Sequence, residues 1–299
     1  MASAGKLLVT GARGQLGQDL IAALASDYEL IAADLEEFDL RDRTAVHEFF
    51  RLRQPDVVVH AAAYTDVDGC ESNKEQAMAV NGEGTKNIAL ACKAVGARMI
   101  YYSTDYVFAG DSKVPYAEGD STGPRTVYGR SKLEGEKAVQ EILQDYTILR
   151  IAWIYGRHGK NFVRTMLKLG HDQLKKAEAG EKVAPLKVVD DQYGNPTWTM
   201  EVVRQTQDVL ARKLNGLFHA TTGGDEVSWY RFARAIFEKM GLPVDVVPCT
   251  TAEFPRPAPR PARSSLANTR LREAGAYVMR DWEVALAEFL KLHGKDMLP

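Results

Sequence analysis

Cysteine is scarce in this 299-residue chain, and the three present, Cys70, Cys92 and Cys249, are odd in number and far apart. That spacing supports neither a disulfide framework nor a zinc site. The six histidines, at 47, 60, 158, 171, 219 and 293, show no His-Glu-x-x-His or other paired ligand spacing, so no metal-dependent mechanism is expected. No stretch approaches the ~20 apolar residues that cross a bilayer. Charge of one sign is also missing: the formal net charge is −2, which gives no general attraction to nucleic acid or to an anionic membrane. Met1-Ala-Ser-Ala-Gly5 leads straight into Lys6-Leu-Leu-Val9, without the longer apolar stretch of a signal peptide. A cytoplasmic protein with no membrane or nucleic-acid partner is expected.

What is present is ordinary for a globular enzyme. Hydrophobic residues make up 45% and charged residues 26% of the chain, and its length allows two domains or one large domain with a smaller lobe. Short apolar runs alternate with longer amphipathic segments. Strands are expected at 7–10, 29–33, 57–61, 98–103 and 147–151. Helices are expected at 15–25, 44–53, within 73–95, and at 128–143. Strands that lack alternation are buried on both faces, as in parallel sheets. A regular β-α-β rhythm predicts an α/β fold with a doubly wound sheet and right-handed crossovers.

The second half is less regular. Residues 190–197 (DDQYGNPT) are rich in turn formers and predict a loop. Helices are expected at 199–211, 228–240 and 281–293, and a short strand at 216–220. In 254–263 (FPRPAPRPAR) Pro255, Pro257, Pro259 and Pro261 exclude a helix interior or a central strand. The segment is either a surface linker or an extended arm carrying Arg256, Arg260 and Arg263 toward an anion.

Gly11-Ala-Arg13-Gly14-Gln15-Leu16-Gly17 follows the first strand and opens the first helix. Glycines so placed permit a tight turn, close approach to a pyrophosphate, and tight helix–strand packing. The helix N-terminus then offers unpaired N–H groups to phosphate. Asp34 ends the second strand, where a carboxylate can accept from a ribose 2′-hydroxyl and favour NAD. Arg13 in the loop could instead meet the 2′-phosphate of NADP, so NADH or NADPH stays open. Asp39 and Leu40 are candidates for contact near the adenine. His60-Ala-Ala62-Ala63 ends the third strand, and small residues there let a cofactor lie against the backbone; His60 itself is expected to be a core histidine.

Tyr128-Gly-Arg-Ser-Lys132 carries the sharpest chemistry. Residues four apart share a helix face, so the phenol and the ammonium point into one pocket. A lysine charge beside a phenol favours the phenolate and lowers its pKa toward the useful range. Upstream lies Tyr102-Ser103-Thr104-Asp105-Tyr106-Val-Phe108. Thr104 can donate to an oxygen that develops charge; Ser103 is the alternative, and strand alternation lets only one face the substrate.

The ordered set GARGQLG, AAAYTDVD, STDYVF, YGRSK, IAWIYG and DDQYGNPT, with the proline-arginine arm and the closing helix, resembles the extended short-chain dehydrogenase/reductase family. Within it the chain is most similar to the dTDP-4-dehydrorhamnose reductases, over nearly its whole length. The glycine and Tyr-Lys motifs point only to the superfamily; STDYVF, DQYGNPT and the arm narrow it.

The resemblance implies a Rossmann-type doubly wound parallel sheet over residues 1–155, with the helix at 199–213 packing back on it. A smaller C-terminal substrate-binding lobe would occupy most of 156–299. It implies NADPH or NADH bound by Gly11, Arg13, Gly14, Gln15, Leu16, Gly17, Asp34, Asp39, Leu40, Ala62, Ala63, Thr65, Tyr128 and Lys132. It further implies reduction of the C4 keto group of dTDP-4-dehydro-6-deoxy-L-mannose to dTDP-L-rhamnose. Thr104, Tyr128 and Lys132 would be catalytic, and Thr104, Asp105, Tyr106, Trp153 and Arg260 would meet the dTDP-sugar. A homodimer is compatible with the resemblance, and no metal site is expected.

Two other functions fit the same motifs. One is a nucleotide-sugar epimerase or dehydratase; related dehydratases carry Asp-Glu after the threonine, whereas here Asp105 is followed by Tyr106. The other is a non-catalytic regulatory subunit, resembling that of methionine adenosyltransferase. Retention of Thr104, Tyr128 and Lys132 makes catalysis the simpler expectation.

Overall fold

Leu7, Leu8 and Val9 are all fully buried, although successive strand side chains point to opposite faces. Their strand, β1 (Lys6–Thr10), is therefore covered on both sides. The structure, a computed structural model, describes residues 5–298. Leu7 and Val9 pack with Leu16, Leu20 and Leu24 of α1 (Gln15–Leu24) and with Val202, Val203 and Val209 of α8 (Thr199–Arg212). Leu8 faces the other way, toward Val46 and Phe50 of α2 (Arg43–Arg53) and Ile88 and Cys92 of α5 (Thr85–Val95).

The remaining central strands are β2 (Glu29–Ala33), β3 (Val57–His60), β4 (Arg98–Thr104), β5 (Tyr146–Ile151) and β10 (Gly216–His219). All pair in parallel, in the order β10-β5-β4-β3-β1-β2. From β1 the chain goes one way to β2 and then crosses to β3 on the other side. The order reverses between β1 and β3, and the crevice at such a reversal is where doubly wound sheets bind ligands.

The stretch 73–95 is not one regular helix. It runs from α4 (Lys74–Ala77) through a wide π turn (Met78–Gly84) into α5. Asn81, in that turn, is buried; it accepts from Tyr64 N at 2.8 Å and donates to Tyr64 O at 3.0 Å and Ser131 Oγ at 2.9 Å. One side chain thus ties the loop after β3 to α6 (Val127–Ile142). Such π turns are frequent at functional sites.

The chain beyond residue 155 serves both lobes. α8 covers α1, with Gln207 Nε2 donating to Ala23 O at 3.4 Å, and β10 completes the sheet beside β5. The second lobe has its own core, where Val163, Met166 and Leu167 of α7 (Phe162–Glu178), Phe232 and Ile236 of α9 (Trp229–Met240) and Leu286 and Phe289 of α11 (Trp282–His293) meet. Truncating such a side chain, for example Phe232→Ala, typically costs about 3–5 kcal/mol. β6 (Ile154–Tyr155) pairs with β9 (Thr197–Trp198), β7 (Leu186–Val189) with β12 (Val246–Cys249), and β8 (Tyr193–Gly194) with β11 (Val227–Ser228). DDQYGNPT is therefore more than a loop: it carries β8, and its Tyr193 receives Ser264 N and donates its own N–H to Ala262 O. Those bonds anchor the far end of the proline arm. Among the described residues no helix is long and apolar enough to cross a membrane.

Candidate active site

A cleft of about 1270 Å³ runs from the glycine turn, past the carboxyl ends of β1, β3 and β4, to the second lobe and the proline arm. Gly11, Arg13, Gly14, Gln15, Leu16, Gly17, Asp34, Asp39, Leu40, Ala62, Ala63, Thr65, Thr104, Asp105, Tyr106, Tyr128, Lys132, Trp153 and Arg260 all line it. The sequence scattered these residues over 250 positions; the crossover between β1 and β3 gathers them.

The cofactor end is shaped by missing side chains. Gly11 has φ +68°, and a Cβ there would lie 2.7 Å from the Ala62 backbone. A Cβ on Gly17 would strike the carbonyl oxygen of Gly11. Gly14 caps α1 with extended backbone and no side-chain cap, so the first-turn N–H groups are not taken by a capping side chain. A dinucleotide pyrophosphate fits that cradle.

Asp34 has a second role beside the ribose one expected of it. Its carboxylate accepts from Arg13 N and from Leu35 N, both at 2.9 Å, and so braces the glycine loop. Arg13 is paired with Glu36 and lies 3.7 Å from Glu37, so a 2′-phosphate would compete with exposed carboxylates for it. Asp39 is held by Arg41, at 2.6 Å from Nη2. His60 is buried, bonded to Thr10 at 2.6 Å and Thr85 at 3.2 Å, and burial pushes its pKa down to about 3. It is a neutral core histidine.

The chemical centre lies where α6 meets β4. Thr126 caps α6 by accepting from Gly129 N at 2.9 Å. A Cβ on Gly129 would strike the Tyr106 carbonyl oxygen, so glycine lets α6 lie against the 105–107 turn. That approach brings Tyr128 beside Thr104. The Tyr106 and Tyr128 rings meet edge to face at 5.7 Å.

Lys132 is buried over the Tyr101 ring, its Nζ 4.2 Å from the centroid. Burial pushes its pKa down to about 7, against the attraction of Glu136 one turn on. Glu136 is itself buried and held by Arg150 through two bonds of 2.8 and 2.7 Å. The expected acidification of Tyr128 by Lys132 is absent here. Burial and the Asp105 charge instead raise the phenol, with Thr104 opposing. Burial outweighs the hydrogen bond from Thr104, so Tyr128 is a neutral phenol.

Thr104 is buried, with Oγ1 2.9 Å from Asp105 Oδ1, and it accepts from Tyr106 N at 3.2 Å. Burial raises Asp105 to about 6, with Ser264 and Thr104 opposing. Asp105 Oδ2 and Ser264 Oγ are both buried, and neither finds a hydrogen bond of good geometry. Ser103, the alternative to Thr104, also has a buried hydroxyl without a partner.

Trp153 adopts φ +48° and lies flat against Gly194, where a Cβ would collide with the indole. Its ring stacks on Trp229 at 3.5 Å, and Phe162 packs on Trp229 at 4.5 Å. Trp229 and Phe162 were not marked by any sequence motif. Asp68, on α3 (Val67–Ser72), closes the AAAYTDVD motif, but nothing in the sequence pointed to its pairing with Arg260. Tyr106 Oη accepts from Arg260 at 3.4 Å.

Fold and site together define a dinucleotide-binding α/β protein of the short-chain dehydrogenase/reductase class. Residues 5–294 match the RmlD substrate binding domain family. A dTDP-4-dehydrorhamnose reductase of Streptomyces griseus is 43% identical over 290 residues, covering 94% of this chain and 91% of that protein. A structure of a dTDP-4-dehydrorhamnose reductase from Clostridium acetobutylicum superposes with TM-score 0.91 at 42% identity, covering 96% of this chain and 99% of that one. One from Bacillus anthracis, in complex with NADP, superposes with TM-score 0.91 at 35% identity and the same coverages. The chain belongs to the RmlD substrate binding domain family.

Proposed function

We propose that the protein reduces the C4 keto group of dTDP-4-dehydro-6-deoxy-L-mannose to dTDP-L-rhamnose, using NADPH or NADH. The observation that carries this is the meeting of Thr104, Tyr128 and Lys132 at the carboxyl end of β4, in one cleft with the glycine cradle and the aromatic wall. Relatives bearing the reductase name support the substrate.

Gly11, Gly14, Gly17, Asp34 and Lys132 would hold the cofactor, which when bound supplies the hydride for C4. Thr104 orients the keto oxygen. Tyr128, protonated because it is buried, passes its proton to that oxygen as charge develops. An alkoxide is far more basic than a phenolate, so the transfer runs downhill even from a raised phenol; general acids of this kind contribute about 10²–10⁴-fold. Lys132 then faces a nascent phenolate, and its charge stabilises that state. Trp153, Trp229 and Tyr106 exclude water around the sugar, and Arg260 reaches for the diphosphate. A homodimer and a cytoplasmic location belong to the same proposal, on the family resemblance alone.

The test follows absorbance of NADH and NADPH on adding dTDP-4-dehydro-6-deoxy-L-mannose. Substrate-dependent oxidation that Tyr128→Phe abolishes is expected. Nucleotide binding without oxidation would overturn the reductase in favour of an epimerase or a regulatory subunit.

A further inference from the structure

We propose that Asp105 is a positioning residue whose protonation sets the direction in which Thr104 donates its only hydroxyl proton. This rests on the reductase function proposed above. A threonine hydroxyl has one proton and two lone pairs. One lone pair of Thr104 receives Tyr106 N at 3.2 Å, and its oxygen lies 2.9 Å from Asp105 Oδ1. An ionised carboxylate only accepts, so Thr104 must then spend its proton on Asp105. Nothing is left to give a keto oxygen beside Tyr128. A protonated Asp105 reverses the bond: the carboxyl donates to Thr104 Oγ1, and the threonine proton turns into the cleft.

The surroundings favour the protonated form. Asp105 is 3% exposed. Its Oδ2 and Ser264 Oγ are both buried and neither makes a hydrogen bond of good geometry, so that oxygen lacks the short bond that would hold a charge. The Ser264 and Thr104 hydroxyls still favour the ionised form, but burial outweighs them. The titratable groups around it are Tyr106 on its own turn and Tyr128 on α6, both neutral phenols. Arg260, on the arm, is engaged by Tyr106 and Asp68, and among the described residues no ion pair forms with Asp105. Burial lifts the carboxyl to about 6, against hydrogen bonds from Ser264, Thr104 and the backbone N–H groups of Asp105 and Tyr106.

The sequence alone misses this device, because an Asp next to a catalytic Thr reads as a sugar-hydroxyl contact. A contact of that kind would lower the rate equally at every pH when removed. A donor switch has a different signature, and Asp105→Asn isolates it, since the amide N–H can donate to Thr104 Oγ1 at any pH.

The experiment measures kcat/KM for keto-sugar reduction between pH 5 and 8. In the unmodified enzyme it should fall about tenfold from pH 5 to pH 7 as Asp105 ionises. In Asp105→Asn the part of the limb centred near 6 should vanish, and any fall that is left should be centred near 7, where Lys132 titrates, whatever the absolute rate. A limb still centred near 6 in the variant, or a flat profile in the unmodified enzyme, would overturn the proposal. Should Asp105→Asn not fold, carboxyl ¹³C titration of aspartate-labelled unmodified protein decides. One aspartate should titrate near 6 and shift in Ser264→Ala, whereas all aspartates titrating below 5 would refute it. If no keto-sugar turns over at all, the reductase proposal fails by itself, and the carboxyl titration still decides Asp105.

Discussion

Asp68 on α3 and Arg260 on the proline arm meet at 2.8 Å across the mouth of the cleft. The same carboxylate accepts from Ala258 N at 3.2 Å and lies 4.0 Å from Arg256. One side chain of the nucleotide-binding lobe thus clasps the arm of the other lobe. Asp68→Asn should loosen the arm and raise KM for the sugar nucleotide about two- to fivefold, the scale of a partly exposed ion pair. kcat should change little. Initial rates check this, and a lower KM would mean that Asp68 competes with the substrate diphosphate for Arg260.

Gly129 should be indispensable for a reason that leaves cofactor binding alone. In Gly129→Ala the new methyl meets the Tyr106 carbonyl, so α6 must withdraw from the 105–107 turn. A displacement of about 1 Å at the reacting groups costs on the order of 10² in rate. kcat should fall by that factor while nucleotide affinity, followed by fluorescence titration, stays within about threefold. Loss of both together would mean that the helix has unfolded rather than shifted.

Asp34→Ala should weaken NADH more than NADPH, because a carboxylate there attracts a 2′-hydroxyl and repels a 2′-phosphate. Both cofactors should also lose some affinity, since Asp34 braces Arg13 N in the glycine loop. Dissociation constants for the two cofactors check the ratio, and equal losses would leave Asp34 as a brace alone.

The pH dependence of stability should show opposing contributions from buried groups. His60 and His219 are pushed down to about 3 by burial. Their contribution is full above pH ~6.5 and is lost as pH falls below it, by up to roughly 1.4 kcal/mol per pH unit for each. Asp105, raised from 3.8 to about 6, acts the other way: its contribution is full below pH ~3.8 and is lost as pH rises through ~6. The integrated difference is on the order of 3 kcal/mol. Asp105→Asn should therefore melt higher than the unmodified protein at pH 8, and the gain should shrink toward pH 4.5. A gain independent of pH would contradict the raised carboxyl.

The sheet was legible because Leu7-Leu8-Val9 and Val57-Val58-Val59 leave no polar face for solvent. The glycine turn and the Tyr128–Lys132 pair were legible because their spacing is local. What stayed hidden is what only tertiary packing creates. Trp229, Phe162 and Asp68 come from elements remote in sequence from Tyr128, and an aromatic on an amphipathic helix looks like core. Asn81 carried no signal because its π turn departs from regular helix periodicity. The direction of the Tyr128 shift was misjudged for a related reason. Adjacency of Lys132 follows from spacing, but burial, which outweighs it for both groups, does not. Glu136 could have been found, one helical turn beyond Lys132.

The proline arm has a thermodynamic consequence. Each proline fixes its own φ and confines the residue before it to extended conformations, so 254–263 has little freedom left to lose on binding. Immobilising an ordinary loop of that length over a ligand would consume much of the affinity its contacts generate. Here the disorder has already been removed by covalent structure, at synthesis. An arm of this kind meets a ligand at a smaller entropic cost than an ordinary loop of its length.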